Sequence, residues 1–202
     1  MTGRDQQKQR TRKALIDAYF KVLRDGGESP TVAQVAEAAG ISVATAYRYF
    51  PNPKSLRADA SVSVTRDLPS FEEVLADAGD DPAVRIELLI RTIGRWQFAD
   101  EPIWRGVLQA TLERWFAQWE KGGEMVPVRS TARFDGVSLA LRPLEDELPP
   151  KEFLRVVHAV MLVCGVEALV ATRDAAGLEA EEAIDTMVWA GQALIHSART
   201  NR

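Results

Sequence analysis

The stretch from Thr31 to Phe50 constrains the fold more than any other part of the chain, because it encodes two short helices and the turn between them. Thr31 and Gln34 form a T-x-x-Q capping box: the hydroxyl accepts from a first-turn amide while the glutamine reaches back to the cap. Val32, Val35, Ala36 and Ala39 then repeat at helical spacing over two turns. Gly40 turns the chain, Ile41 plugs the corner, and Ser42 caps a further helix over residues 43–50. Before this pair, residues 7–25 form a helix with Leu15, Ala18, Tyr19 and Val22 on one stripe, stopped by Gly26-Gly27. Two short helices joined by a glycine-containing turn describe a helix-turn-helix, and equally a plain helical hairpin in a bundle.

The composition of the third helix separates these alternatives. SVATAYRYF places Thr45, Arg48 and two tyrosines on a helix too short and too polar to be buried all round. An arginine on a helix entering the major groove can pair bidentately with guanine. Hydroxyls of Ser, Thr and Tyr suit phosphate oxygens, which fix register without reading sequence. Asn52-Pro53 starts a fourth helix as N-cap and first-turn proline, with Leu56, Ala60, Val64 and Leu68 along one edge. Charge points the same way. Through Arg57 there are ten basic and five acidic residues; the remainder carries 15 basic against 24 acidic. A basic module on an acidic body is a footprint for local contact with a polyanion.

TVAQVAEAAGISVATAYRYFPNPKSL resembles the DNA-binding signature of TetR-type regulators, over residues 10–68. The resemblance implies an N-terminal three-helix DNA-binding domain (residues 1–68, helix-turn-helix about 31–50). A fourth helix would link it to a larger C-terminal helical ligand-binding and dimerisation domain (residues 69–202). Carried over by position, Thr31, Thr45, Tyr47, Tyr49 and Lys54 become phosphate contacts, and Val43, Ala44 and Arg48 face the groove, with Ser42 at the helix start. One departure stands out: Lys54 follows Phe50 by four residues where the family pattern has three.

The rest of the chain keeps helical periodicity without strand-like alternation, so the fold class is all-α. Asp81-Pro82 starts a helix striped by Ile86, Leu89, Ile90 and Ile93. Glu101-Pro102 starts another, with Trp104, Leu108, Leu112, Trp115 and Trp119 on one side and Gly122-Gly123 at its end. Residues 121–150 carry four prolines and one short helix around 137–141. Two long helices close the chain, near 151–173 and 180–198. The second is apolar on two adjoining faces, a stripe too wide for one neighbour to cover.

Chemistry of other kinds finds no footing. Neither His158 nor His196 completes a Glu-x-x-His pair, and there is no Gly-rich phosphate loop, HExxH or cysteine pair. An enzyme, a metal site and a cofactor are therefore not expected. The lone Cys164 fits a reducing compartment, and the polar, basic MTGRDQQKQRTRK is unlike an export signal. The apolar run over residues 156–171 is too short and too polar for a membrane span. A cytoplasmic protein without membrane contact is the expectation.

Beyond this point the resemblance supplies the partners: double-stranded operator DNA, a second copy of the chain, and a small-molecule effector. Aromatic side chains favour an apolar or aromatic effector, with Trp96, Trp104, Leu108, Trp115, Trp119, His158 and Met161 as candidate pocket residues. The family's dimers pack two helices from each subunit. That implies Val157, Cys164, Ala168, Met187, Gly191 and Leu194 as interface residues.

Overall fold

The structure, a computed structural model, describes residues 3–26, 29–64 and 68–200. Among these the chain is helical throughout, with no strand. Parts of the expected Gly26-Gly27 stop (Gly27) and of the fourth helix's far end (residues 65–67) lie outside the described residues.

The chain divides into two compact units, and they do not follow one another in sequence. The first comprises Met1–Leu68 with Asp100–Val126, and the second Pro69–Ala99 with Pro127–Arg202. Residues 100–126, expected in a C-terminal domain, pack instead with the N-terminal helices.

In the first unit the helices are α1 (Gly3–Arg24), α2 (Val32–Ala38), α3 (Val43–Tyr49), α4 (Pro53–Ser63) and α7 (Glu101–Lys121). The local signals act as the sequence indicates. Thr31 accepts from the Gln34 amide at 3.2 Å while the Gln34 side chain accepts from the Thr31 N–H at 2.9 Å. Ser42 accepts from the Thr45 amide at 3.3 Å, and Asn52 from the Ser55 amide at 2.9 Å. Gly40 turns the chain between α2 and α3 with φ 64°, a left-handed conformation that favours glycine. Leu15, Tyr19, Val32, Val35, Ala36, Ala46, Phe50, Leu56 and Ile103 form one core, so α7 contributes to the same apolar cluster as α1–α4.

The second unit holds α5 (Phe71–Leu75), α6 (Pro82–Ala99), α8 (Ala132–Leu141), α9 (Pro150–Leu162), α10 (Val166–Val170) and α11 (Ala180–Thr200). Its core is aliphatic and continuous across α6, α8, α9 and α11, with Ile86, Leu89, Leu141, Leu144, Val157, Val160 and Ile184 among its fully covered members. Helices α6 and α11 approach at glycines. A Cβ on Gly94 would lie 2.7 Å from Ile184 Cγ1, and one on Gly191 2.8 Å from Ile90 Cδ1.

One helix expected to be continuous is broken. Residues 151–173 split at Gly165 (φ 99°) into α9 and α10, bent by 44°. The Arg133 guanidinium occupies the space a side chain at 165 would need, and donates to the Cys164 carbonyl at 2.9 Å. Gln97, nearly fully buried, fits the same break with its amide donating to Gly165 O (3.3 Å) and accepting from Val166 N–H (3.2 Å). The carbonyl and amide freed by the kink are thus satisfied. No single described helix is long and apolar enough to cross a membrane.

Candidate nucleic-acid interface

Helix α3 is two-faced. Ala46 is fully buried against the core and Phe50, at its C-cap, is 2 % exposed. Val43, Ala44, Tyr47 and Arg48 lie on the opposite side, all open to solvent. Positions i, i+1, i+4 and i+5 share one face of a helix. Leaving Val43 and Tyr47 each 45 % exposed on such a short helix is not what a core helix does. The Arg48 guanidinium lies 6.0 Å from the Tyr49 ring centroid. That contact leaves its hydrogen-bonding fork available.

The other expected contacts fall around this face. Thr31 and Lys54 are exposed, each in the first turn or cap of its helix. Thr45 is half-buried, with its hydroxyl 2.8 Å from that of Ser42, and Tyr49 is half-buried against the core. Thr45 and Tyr49 are therefore tied to the scaffold more tightly than Tyr47. The four-residue spacing from Phe50 to Lys54 is taken up by the turn through Pro51 and Asn52 before α4 begins. Along α1, Arg4, Lys8 and Arg10 are exposed, whereas Arg12 pairs with Asp59 and Lys13 with Asp17 at 3.0 Å.

Residues that hold this face in place escaped the sequence. Arg57 on α4, only 7 % exposed, pairs with Glu113 of α7 and reaches Ser29 at 3.4 Å. The signal was an arginine beside the small apolar edge of α4, but its partner stands 56 residues away. Burial raises the Tyr19 phenol above its ordinary range, opposed by the Arg57 charge and hydrogen bond beside it. Arg24 also bonds Asp100 at 2.7 Å, a second tie between α1 and the segment carrying α7.

The expected effector-pocket residues are divided between the units. In the first, Trp104 and Leu108 are half-buried, while Trp115 (40 % exposed) and Trp119 (65 %) face outward, stacked on each other at 5.5 Å. Their stripe is thus neither core nor cavity wall. In the second unit Trp96 stacks on Phe71, Met161 packs half-buried against the core, and His158 is exposed with its ring 5.9 Å from that of Phe134.

The expected interface residues all lie in the second unit. Val157, Cys164, Ala168, Met187 and Gly191 are buried within the second unit and Leu194 is half-buried against its core. The wide apolar stripe of α11 is covered by α6 and α9 of the same chain, so no second subunit is needed to cover it. What α9 and α11 leave open is Leu154, Leu162 and Trp189, the last 72 % exposed.

An outward polar-aromatic helix, set by a capped helix and a glycine turn, defines a helix-turn-helix. Comparison with known proteins agrees. Residues 15–59 match the family described as bacterial regulatory proteins, tetR family. The HTH-type transcriptional regulator BetI of Rhizobium meliloti (strain 1021) is 34 % identical over 94 residues, 46 % of each chain. The HTH-type transcriptional repressor KstR of Mycolicibacterium smegmatis is 31 % identical over 94 residues, again 46 % of each. The matched segment therefore spans less than half of these relatives' length. A TetR transcriptional regulator from Rhodococcus sp. RHA1 shares the fold, with a TM-score of 0.58 over 93 % of this chain and 97 % of that one at 16 % identity. The likeness in sequence to the tetR family thus lies in the N-terminal segment, the one that carries α2 and α3.

Proposed function

We propose that this protein is a cytoplasmic transcription regulator that binds double-stranded operator DNA as a homodimer, with repression as its sign. The observation that carries this is the outward face of α3. Arg48 reads a base edge, Val43 and Ala44 approach the groove closely, and Thr31, Thr45, Tyr47, Tyr49 and Lys54 hold phosphates around them. Two such helices related by a two-fold axis require a palindromic operator with half-sites about one helical turn, ~34–36 Å, apart or wider. Leu154, Leu162 and Trp189 are the open apolar residues of α9 and α11 that such a dimer would cover.

An apolar or aromatic small molecule that lowers operator affinity completes this reading, and it rests on family resemblance. A second reading, a regulator with no small-molecule effector, is favoured by the outward placement of Trp115 and Trp119. A metabolite screen separates them: effectors must change tryptophan emission and release operator at matching concentrations.

The DNA-binding claim is tested with Arg48→Ala on operator selected from genomic fragments. A loss of ~1–3 kcal/mol in specific affinity, with relaxed preference at one base position, is expected. Wild-type discrimination between operator and random DNA by this variant would remove α3 as the reader.

A further inference from the structure

Residues 3–10 of α1 are exposed all round, and the core of the first unit takes its earliest residue from this helix at Leu15. A helix end that is polar on every side gains nothing from that core. Over residues 3–13 five basic residues stand against the single acid Asp5. Cations so near the positive end of a helix dipole do not stabilise the helix. Three of them, Arg4, Lys8 and Arg12, recur at i, i+4 and i+8 and so form one edge, ~12 Å long.

Arg12 brings this edge to α3. Its guanidinium lies 5.5 Å from the ring centroid of Phe50, the C-cap residue of α3. It also pairs with the Asp59 carboxylate of α4, with the Arg12 side chain 49 % exposed and that of Asp59 28 %. Asp59 Oδ2 is covered and accepts no well-aligned hydrogen bond among the described residues, so the pair rests on charge alone. A guanidinium carries five donors, more than one carboxylate occupies.

We propose that Arg4, Lys8 and Arg12 form a second edge for the DNA backbone beside α3, and that Asp59 holds Arg12 as an internal stand-in for a phosphate. This edge presupposes the DNA-binding reading of α3. It adds affinity for any sequence and no base preference, since backbone contacts carry no sequence information. Asp59 sets its strength. While it pairs with Arg12, one charge fewer is offered to phosphates, which restrains binding to random DNA. Ion pairs open to solvent contribute little to stability, so exchanging the carboxylate for a phosphate costs the fold little.

The test measures binding of the full chain to a random-sequence duplex and to operator selected from genomic fragments, over a range of salt. Each neutralised phosphate adds about 0.9 to the slope of log affinity against log salt. Arg4→Ala with Lys8→Ala should flatten the slope by about 1.8 on both DNAs and leave the preference for operator unchanged. Lys13→Ala removes a cation of α1 already paired with Asp17 and should change the slope far less. Asp59→Asn should steepen it by about 0.9 and tighten random-duplex binding severalfold. Adding Arg12→Ala should abolish that gain, and matching urea midpoints establish that the variants fold. An unchanged slope for the Arg4, Lys8 pair of substitutions, or an equal loss for Lys13→Ala, overturns the edge. The reading of α3 then stands if Arg48→Ala still loses operator preference in the same assay. Weaker random-duplex binding by Asp59→Asn would make the Arg12–Asp59 pair a strut between α1 and α4, and overturns the exchange. A wild type that binds operator no better than the random duplex overturns the reading of α3 itself.

Discussion

The two units each bury an arginine, and they neutralise it in opposite ways. In the first unit Arg57 lies against the Glu113 carboxylate, a charge-to-charge pair joining α4 to α7. In the second, Arg85 donates to three backbone carbonyls, Gly79 O at 2.8 Å and Leu139 O and Ala140 O at 3.0 Å each. Two of these are last-turn carbonyls of α8, the negative end of a helix dipole, where a cation is favourable. One unit therefore depends on a specific partner far along the chain, and the other on backbone that any sequence supplies. The first arrangement fixes which helices belong together. The second closes a helix end inside an already continuous aliphatic core.

The difference appears most strongly when one partner is removed. Glu113→Leu strands the Arg57 guanidinium, 7 % exposed, with Ser29 and the Tyr19 hydroxyl as its remaining side-chain partners among the described residues. Breaking a buried pair this way costs about 3–5 kcal/mol, and the partial exposure of Glu113 argues for the lower end. Urea melts should show this loss, and Arg57→Leu with Glu113→Leu should recover most of it. If the double variant is no better than the single, Arg57 is not held chiefly by that carboxylate. Arg85→Met should cost less, about 2 kcal/mol, since neutral carbonyls are left unpaired and no charge is stranded. A larger loss for Arg85→Met than for Glu113→Leu would reverse the comparison.

The same contrast explains what could be read before the fold was known. Start and stop signals act over three or four residues, so Thr31–Gln34, Ser42, Asn52-Pro53, Asp81-Pro82, Glu101-Pro102 and Gly122 all mark helix ends where expected. The Ser70–Glu73 capping box of α5 is a signal of the same kind. The outward residues of α3 were legible because their polarity contradicts burial. Which neighbour covers an apolar stripe is not written in its period. Hence the stripes that carry Val157, Cys164 and Met187 do not say that their cover lies within the same chain, nor does the period of α7 say that it joins the core of α1–α4. The break at Gly165 depends on Arg133 and Gln97, both distant in sequence.

Packing in the second unit gives a smaller and more graded test. Gly94→Ala places its Cβ 2.7 Å from Ile184 Cγ1, an atom near the backbone that moves only with its whole side chain. Gly191→Ala meets Ile90 Cδ1 at 2.8 Å, the free end of a side chain that can rotate away. Both gain about 1 kcal/mol of helix propensity from losing glycine. Overpacking costs about 1–3 kcal/mol. Gly94→Ala should therefore be destabilised by about 1 kcal/mol and Gly191→Ala nearly neutral, by the shift of the urea midpoint. Equal effects at both sites would mean that α6 and α11 adjust as rigid bodies.

The smallest effect is electrostatic and lies at the kink between α9 and α10. Glu167 pairs with Arg133 at 2.6 Å and with Arg129. Burial alone would raise its pKa, but the Arg133 and Arg129 charges and the Arg133 hydrogen bond outweigh it and hold the carboxyl below its ordinary value of 4.5. A carboxyl with a lowered folded pKa adds stability that is present above its unfolded pKa and lost as pH falls through the folded one. The window is thus below about pH 4.5, on the acid limb of the stability profile. With the Glu167 side chain 44 % exposed, solvent screening keeps its worth to under ~1 kcal/mol. Glu167→Gln should lower the urea midpoint slightly at pH 7 and converge on the wild type as pH falls through the lowered folded pKa, where wild-type Glu167 becomes neutral as well. Salt at 1 M should shrink the pH 7 difference, since the pair is partly open to screening. A difference that persists undiminished to the acid end of that limb would assign the effect of Glu167 to packing at the kink and not to its charge.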